Sequence, residues 1–201
     1  MYLNTLSMTG ENILAFMLNN LDRDYSIREI AKAIKQDYKI VYTTIQKLKE
    51  QKVITIKRVS NINCCTPNLN HENAQLFSFI SQRYAMRKLQ KTITTALKDI
   101  ITTTKNPLYI LLVFGSYAKG TQTPKSDIDL LFIVSDRKQE PQILAAVNKS
   151  ATLNNLKMNP IILTTEELKN ALQEPSVATE TYKKHYLIHG GEQFYETLTN
   201  V

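Results

Sequence analysis

The sequence predicts an α+β protein built from three parts, which are a helical unit ending in a β-hairpin, a long helical linker, and a small mixed sheet flanked by helices. Three observations support this class. Apolar residues recur at helical spacing over the first fifty residues and again from position 76 to position 100. Residues 53–58 alternate between apolar and polar types, as a strand does. Two further apolar runs, 108–114 and 128–134, are typical of buried strands. We place the parts at residues 1–68, 69–105 and 106–201.

The first part begins with a helix that opens at Ser7 or Thr9. A second helix follows, and Ser26 and Glu29 have the spacing of its capping box. A third, basic helix is predicted from about position 38 to position 51. Two short helices, a tight turn and a polar helix together predict a helix-turn-helix.

The hairpin that follows has strands at 53–58 and 62–66, joined by a turn at Ser60-Asn61. With this hairpin as the wing, residues 8–68 resemble the MarR-like winged-helix family. The resemblance implies that the third helix enters the major groove of double-stranded DNA while the hairpin touches the backbone. The candidate DNA-binding residues are Lys39, Tyr42, Thr43, Gln46, Lys47, Lys57 and Arg58. Winged helices also dock proteins, so a protein partner is the alternative, and the absence of arginine from the third helix weakens the case for guanine recognition.

The linker contains neither glycine nor proline between Pro67 and Pro107. Its apolar spacing predicts one long helix or two nearly continuous ones. A continuous helix of about 33 residues would span roughly 50 Å, and a helix of that length usually packs on a partner. Dimerisation through the linker is one hypothesis, and packing of its second half across the sheet of the third part is the other.

The third part is organised around a loop, Gly115 to Gly120, that connects the two apolar strands. Two of the five glycines of the chain lie in it, and the Gly115-Ser116 corner allows backbone N–H groups and a hydroxyl to approach a phosphate closely. Asp127 and Asp129 follow, two apart on a strand, so their side chains leave the same face. Paired carboxylates repel unless a cation lies between them, and oxygen ligands of this kind suit Mg²⁺. The stretch therefore predicts metal-assisted phosphoryl or nucleotidyl transfer.

The Gly-Ser pair, the step of eleven positions from Ser116 to Asp127 and the Asp-x-Asp pattern resemble the signature of the DNA polymerase beta-like nucleotidyltransferases, in particular their minimal branch. The resemblance implies that Gly115 and Ser116 hold the triphosphate of a nucleotide such as ATP, with Lys119 as a further candidate. It also implies that Asp127 and Asp129 are catalytic and bind Mg²⁺ or Mn²⁺. Because the later segments also look like prokaryotic winged-helix/nucleotidyltransferase fusion proteins, the resemblance covers nearly the whole chain.

Enzymes of this family usually carry a third carboxylate on the neighbouring strand, where this chain has Asn159. An amide brings no negative charge and takes no proton, so we expect nucleotide binding with one metal and slow or absent transfer. Glu166 and Glu167 are the nearest acids in sequence, but a capping box with Thr164 explains them. The function is thus either nucleotide transfer to a protein or small-molecule acceptor, or nucleotide sensing by a DNA-binding transcriptional regulator.

The remaining elements are predicted as a helix over 139–153, a strand over 158–163, and two helices over 176–188 and 192–198 on either side of Gly190-Gly191. His185 and His189 would be four apart on the first of these two helices. With no third ligand nearby, we expect roles at a helix end and at the surface, not a zinc site.

The charge of the chain is uneven, with +4 over residues 1–70, +4 over 71–105 and −1 over 106–201. A basic half joined to a near-neutral half predicts that one end meets a polyanion such as nucleic acid. Cys64 and Cys65 are adjacent, which disfavours an ordinary disulfide or zinc pair. Without a membrane-length apolar run or a signal pattern, we expect a soluble, cytoplasmic protein with no membrane partner.

Overall fold

The structure is a computed structural model that describes residues 6–104, 108–173 and 176–199. Its first unit contains three helices and three strands: α1 (Met8–Leu18), β1 (Tyr25–Ser26), α2 (Ile27–Ala33), α3 (Tyr38–Glu50), β2 (Ile54–Val59) and β3 (Ile62–Pro67). Two helices follow: α4 (His71–Lys88) and α5 (Lys91–Thr103). The last unit contains β4 (Tyr109–Phe114), α6 (Gly115–Lys119), β5 (Ile128–Val134), a short 3-10 turn (Arg137–Gln139), α7 (Glu140–Asn154), β6 (Met158–Thr164), α8 (Thr165–Ala171), α9 (Val177–Lys183), β7 (Tyr186–His189) and α10 (Gly191–Thr199).

Local sequence signals account for the helices of the first unit. The Ser7 hydroxyl caps α1, and Ser26 and Glu29 form both hydrogen bonds of the predicted capping box of α2. Asp37 caps α3 by accepting hydrogen bonds from the backbone N–H groups of its first turn. The three strands pair in the order β1-β3-β2, entirely antiparallel, with Ser60 in the left-handed conformation at the hairpin turn.

The linker region forms two helices, because the backbone of Leu89 is extended and ends α4. α4 packs against α1 on one side and against α10 and β7 on the other. α5 packs on α7, with Ile93, Leu97 and Ile100 in the core beneath the larger sheet. The second half of the region thus follows the packing alternative and lies across the sheet.

The larger sheet is mixed, in the order β6-β5-β4-β7, with β5 and β6 parallel and the other pairs antiparallel. One face is covered by α5 and α7, and its central residues are Leu111, Leu130 and Phe132. The other face is covered by α4, α8, α9 and α10, and its core is continuous with that of the first unit. The mixed α+β class predicted from the sequence is confirmed.

The prediction of a helix over 176–188 is wrong in its last turns. The helix ends at Lys183, and Tyr186–His189 pair with β4 as the fourth strand. Gly190 ends this strand with a φ of +69°, and a Cβ on it would lie 2.4 Å from the carbonyl oxygen of Tyr109. A short apolar run such as 186–188 fits a strand as well as a helix, so periodicity could not separate the two.

The prediction that His185 and His189 share a helix is therefore wrong, since the helix ends at Lys183 and His189 lies in β7. His185 is buried between α9 and β7, and its Nδ1–H donates a hydrogen bond to the carbonyl oxygen of Thr181 over 3.0 Å. Burial lowers the pKa of His185 to about 4, so the ring is neutral at pH 7. It serves packing and helix termination.

Both cysteines are free thiols in β3, where Cys65 is buried and pairs with Tyr25 of β1, and Cys64 is partly exposed. Burial raises the pKa of the Cys65 thiol to about 12. No helix in the described part of the chain is both long enough and apolar enough to cross a bilayer.

Candidate functional site

The loop at the end of β4 turns directly into α6, so the predicted strand-to-helix corner is present. Phe114 is the last residue of β4, and Gly115 begins α6 with a φ of +66°, a conformation that favours glycine. A Cβ at Gly115 would come 2.1 Å from Oδ2 of Asp129. The backbone of the loop thus lies directly against the carboxylate of Asp129, and a side chain at position 115 would have to displace that carboxylate as well as adopt the left-handed conformation.

The two aspartates lie at the start of β5. Asp129 faces Phe114 in the antiparallel register and is partly buried, while Asp127 precedes the strand and is exposed. Between them Ile128 is buried and points to the opposite face. Asp129 leaves the sheet on the same side as Leu131 and Ile133, which is the face covered by α4 and α10.

Asn159 lies beside Asp129 in the parallel register of β5 and β6. Its amide Nδ2 donates a hydrogen bond to Oδ1 of Asp129 over 3.3 Å. The position at which the resemblance implies a third carboxylate is thus occupied by an amide that contacts the second aspartate. Within the described ranges there is no group of three or more His, Cys, Asp or Glu side chains placed to hold a metal ion.

Glu166 and Glu167 lie at the other end of β6. Thr164, which begins their capping box, is five residues beyond Asn159, or roughly 16 Å along the strand at about 3.3 Å per residue. The carboxylate of Glu167 accepts hydrogen bonds from the Thr164 backbone and from Arg137, and these bonds lower its pKa in that order of size. Both glutamates are therefore too far along β6 to contact Asp129.

Lys119 ends α6, with its side chain half exposed. Its Nζ lies 3.7 Å from Oε2 of Glu180 on α9, and Lys183 lies 3.1 Å from the other oxygen of that carboxylate. The hydrogen bond from Lys183 is the main reason why the pKa of Glu180 is lowered, and Lys119 adds less. Sequence reasoning missed Glu180, because it lies sixty-one positions after Lys119 and belongs to no local motif.

The candidate DNA-binding residues lie on α3 and β2. All are exposed except Gln46, which is partly buried. The five on α3 share one helix face by their spacing, whereas Lys57 and Arg58 are consecutive in a strand and leave its opposite faces. Tyr38, Ile40 and Tyr42 are 42–50% exposed on the same helix, so this surface is partly apolar.

The chain is similar to a protein family and to individual known proteins. The family profile described as "Nucleotidyltransferase domain" matches residues 97–187, which run from α5 into β7. A provisionally assigned protein adenylyltransferase of Methanocaldococcus jannaschii is 32% identical over 68 residues, which are 32% of this chain and 69% of the relative. A chain from a crystal structure of a toxin-antitoxin with AMP-PNP has 16% identity and a TM-score of 0.38, covering 53% of this chain and 85% of that one.

The profile match contains the Gly115 corner, both aspartates and Asn159. The match covers 69% of the archaeal relative at 32% identity, which places the two sequences in one family. The chain belongs to the nucleotidyltransferase domain family.

Proposed function

We propose that the chain binds a nucleoside triphosphate, ATP in the first instance, at the corner between β4 and α6 and transfers a nucleotide from it. The observation that carries this proposal is the contact between Gly115 and Asp129, where a Cβ would overlap the carboxylate. An anion-binding backbone and a cation-binding side chain are thus adjacent. Family membership supports nucleotide transfer in general, and the adenylyltransferase assignment of the archaeal relative supports ATP.

The phosphates would be held by this chain's own donors. The first turn of α6 leaves backbone N–H groups without helical partners, and the Ser116 hydroxyl adds another donor. Lys119 would neutralise a phosphate once its ion pair with Glu180 is broken. That ion pair is exposed and contributes little to stability.

Asp127 and Asp129 fit a divalent cation, because two carboxylates on one face of a strand are the hard oxygen ligands that Mg²⁺ and Mn²⁺ accept. Nucleotidyltransferase domains in general use such metals, and an ion here would neutralise phosphate charge and polarise the α-phosphate. Asn159 would orient Asp129 through its amide but contribute no negative charge. The expected outcome is firm nucleotide binding with slow transfer, to a protein or small-molecule acceptor.

Calorimetric titration of the full chain with ATP and Mg²⁺ tests the site. We expect binding in the wild type, loss of most of it in the double variant Asp127→Ala/Asp129→Ala, and no loss in Glu166→Ala, which removes an acid at the far end of β6. Equal affinity in the wild type and the double variant would sink the proposal.

The first unit favours a second candidate function, which is transcriptional regulation through DNA binding. We propose that residues 1–68 form a winged helix-turn-helix that binds double-stranded DNA, with Lys39, Tyr42, Thr43, Gln46 and Lys47 on α3 and with Lys57 and Arg58 on β2. The observations that support it are the exposed basic face of α3, the adjacent antiparallel hairpin, and the excess of +8 over residues 1–105. In this reading the nucleotide is an effector that the protein senses.

Gel-shift measurements with fragments of the protein's own operon region test this second function. Affinity should fall steeply as salt rises, because phosphate contacts release counterions. Lys39→Ala/Lys47→Ala should weaken binding, while Lys149→Ala on α7 should not. If no fragment binds at low salt and a co-purifying protein instead carries an added nucleotide, the first unit is a docking module for the acceptor.

A further inference from the structure

The first two turns of α3 carry large side chains that are only half covered by the rest of the protein. Tyr38 is 46% exposed, Ile40 is 50% exposed and Tyr42 is 42% exposed. In a helix-turn-helix protein, the N-terminal residues of the recognition helix contact the edges of the bases. The DNA-binding mode proposed for the first unit therefore brings an aliphatic side chain, Ile40, to the major groove.

Two threonines add methyl groups to the same part of α3. The Thr43 hydroxyl donates a hydrogen bond to the carbonyl oxygen of Lys39 over 2.9 Å, and the Thr44 hydroxyl donates one to that of Ile40 over 2.8 Å. Threonine hydroxyls in helices often bond to the preceding turn in this way. Because both hydroxyl protons are used within the helix, Thr43, which is exposed, offers a base chiefly its methyl group.

The side chains of α3 match the bases of A·T pairs. In the major groove thymine is distinguished by its C5-methyl group, which apolar side chains contact, and adenine is recognised by the amide of Asn or Gln. Guanine is recognised most often by arginine, and α3 contains none. Ile40, Thr43 and Gln46 follow one another at steps of three, which places them along one row of the helix surface.

Basic residues lie on the helix and on the hairpin. Lys39, Lys47 and Arg58 are exposed, and in the described part of the chain none of them forms an ion pair with a carboxylate. The guanidinium of Arg58 lies 3.4 Å from Oδ1 of Asn61 at the hairpin turn. A·T tracts have a narrow minor groove whose negative potential attracts arginine. The same kind of DNA thus suits the helix and the hairpin.

We propose that the first unit selects A·T-rich double-stranded DNA, with Ile40 and Thr43 contacting thymine methyl groups and Gln46 contacting adenine. The inference rests on the DNA-binding function proposed above and adds a sequence preference to it. Lys39 and Lys47 supply phosphate contacts, which strengthen binding whatever the sequence. Affinity and selectivity therefore belong to different side chains of α3 and are separately measurable.

The test begins with a library of short random-sequence duplexes, from which the full chain selects its ligands at low salt. We expect A·T pairs to be enriched. The tightest duplex is then synthesised again with deoxyuridine in place of thymidine, which keeps the base pairing and removes only the methyl groups. Wild-type affinity should fall about fourfold for each methyl group that a side chain contacts.

Variants at exposed positions assign this effect to side chains. Ile40→Ala and Thr43→Ser should weaken binding of the thymine duplex and leave the uracil duplex nearly unaffected, because the methyl contact is what they remove. Lys39→Ala should weaken binding of both duplexes equally. Ile62→Ala is the control, since it removes a side chain that is 55% exposed on the hairpin, and it should keep the wild-type ratio of the two affinities.

Equal wild-type affinity for the thymine and uracil duplexes overturns the inference, and so does enrichment of G·C pairs. In both cases DNA binding by the first unit still stands. A thymine preference that Ile40→Ala and Thr43→Ser leave intact also overturns it, because other side chains then read the methyl groups. If the library yields no bound duplex, the proposed DNA-binding function fails and this inference fails with it.

Discussion

Asn159 is the residue at which the candidate site differs from the pattern that it resembles. Its amide lies 3.3 Å from one oxygen of Asp129, while the other oxygen of that carboxylate faces Gly115. A neutral group thus lies beside each oxygen of the Asp129 carboxylate. A carboxylate at position 159 would instead repel Asp129 until a cation bound between them.

We therefore expect Asn159→Asp to make the protein more dependent on metal. Without Mg²⁺ its thermal midpoint should fall below that of the wild type, and added Mg²⁺ should raise the midpoint by more than in the wild type. Nucleotide transfer should rise by about tenfold, equivalent to roughly 1.4 kcal/mol of transition-state stabilisation. Asn148→Asp, which adds a charge on the exposed side of α7, is the control and should show neither effect. Robust wild-type transfer that Asn159→Asp leaves unchanged would contradict this.

At the residue scale, local spacing could predict much of the candidate site. The Gly115 corner and the two aspartates lie within fifteen positions of one another. Asn159 lies in the strand predicted over 158–163, and the structure pairs it with Asp129. The contact between Lys119 and Glu180 could not be predicted, because no periodicity relates α6 to α9.

At the scale of elements, the turn from β7 into α10 depends on Gly190. Its backbone is left-handed, and a Cβ would lie 2.4 Å from the Tyr109 carbonyl oxygen, which belongs to the paired strand and cannot move aside cheaply. Gly120 has a similar φ of +72°, but a Cβ there would meet nothing within 4 Å. The two glycines therefore share backbone strain and differ in steric overlap.

Gly190→Ala should accordingly destabilise the protein more than Gly120→Ala. We expect about 1 kcal/mol for the left-handed conformation in both variants and roughly 2 kcal/mol more for the overlap at position 190. The difference in unfolding free energy is measured by urea denaturation at fixed pH. Equal losses in the two variants would show that β7 can shift away from β4 without cost.

The helix starts were predicted correctly where a side chain forms a hydrogen bond with the backbone a few residues away. The capping boxes at Ser26 and Thr164 depend on residues three positions apart, so they are readable without knowledge of the tertiary fold. The segment 186–188 is different, since its strand conformation exists through pairing with β4. The short apolar run and the two histidines that flank it, His185 and His189, carry no local signal that outweighs the prediction of a helix.

For the whole molecule, the consequential feature is a core that runs from the first unit through α4 to one face of the larger sheet. Phe77 lies in this core without solvent exposure and packs edge-to-face on Tyr195 of α10. Glu11 of α1 adds a partly exposed ion pair with Arg83 of α4 over 3.2 Å. A backbone hydrogen bond from Leu21 to the Lys183 carbonyl joins the first unit to α9.

We expect Phe77→Ala to weaken both units together. A loss of about 3–5 kcal/mol is typical of a buried phenylalanine, and hydrogen exchange should quicken in α1 and in β4 alike. Phe79→Ala on the same helix removes a ring that is 43% exposed and should cost far less. Faster exchange confined to one unit would show that the two unfold independently.

The sequence could predict the order of the three parts but not this shared core. Amphipathic spacing shows that a helix has an apolar face and does not show what covers it, so the linker was open to two packings. The boundaries at residues 68 and 105 stay predictions, because continuity of packing does not locate a domain border. The uneven charge likewise identifies which end favours polyanions and leaves their identity to experiment.

The two edges of the larger sheet differ in a way that bears on self-association. β7 is covered by α4, whereas β6, the other edge, carries Pro160 within its paired segment. Proline has no N–H to donate, so a strand from a second molecule could not form an unbroken ladder along β6. Pro160, which follows Asn159, thus disfavours aggregation through pairing of the β6 edges of two molecules.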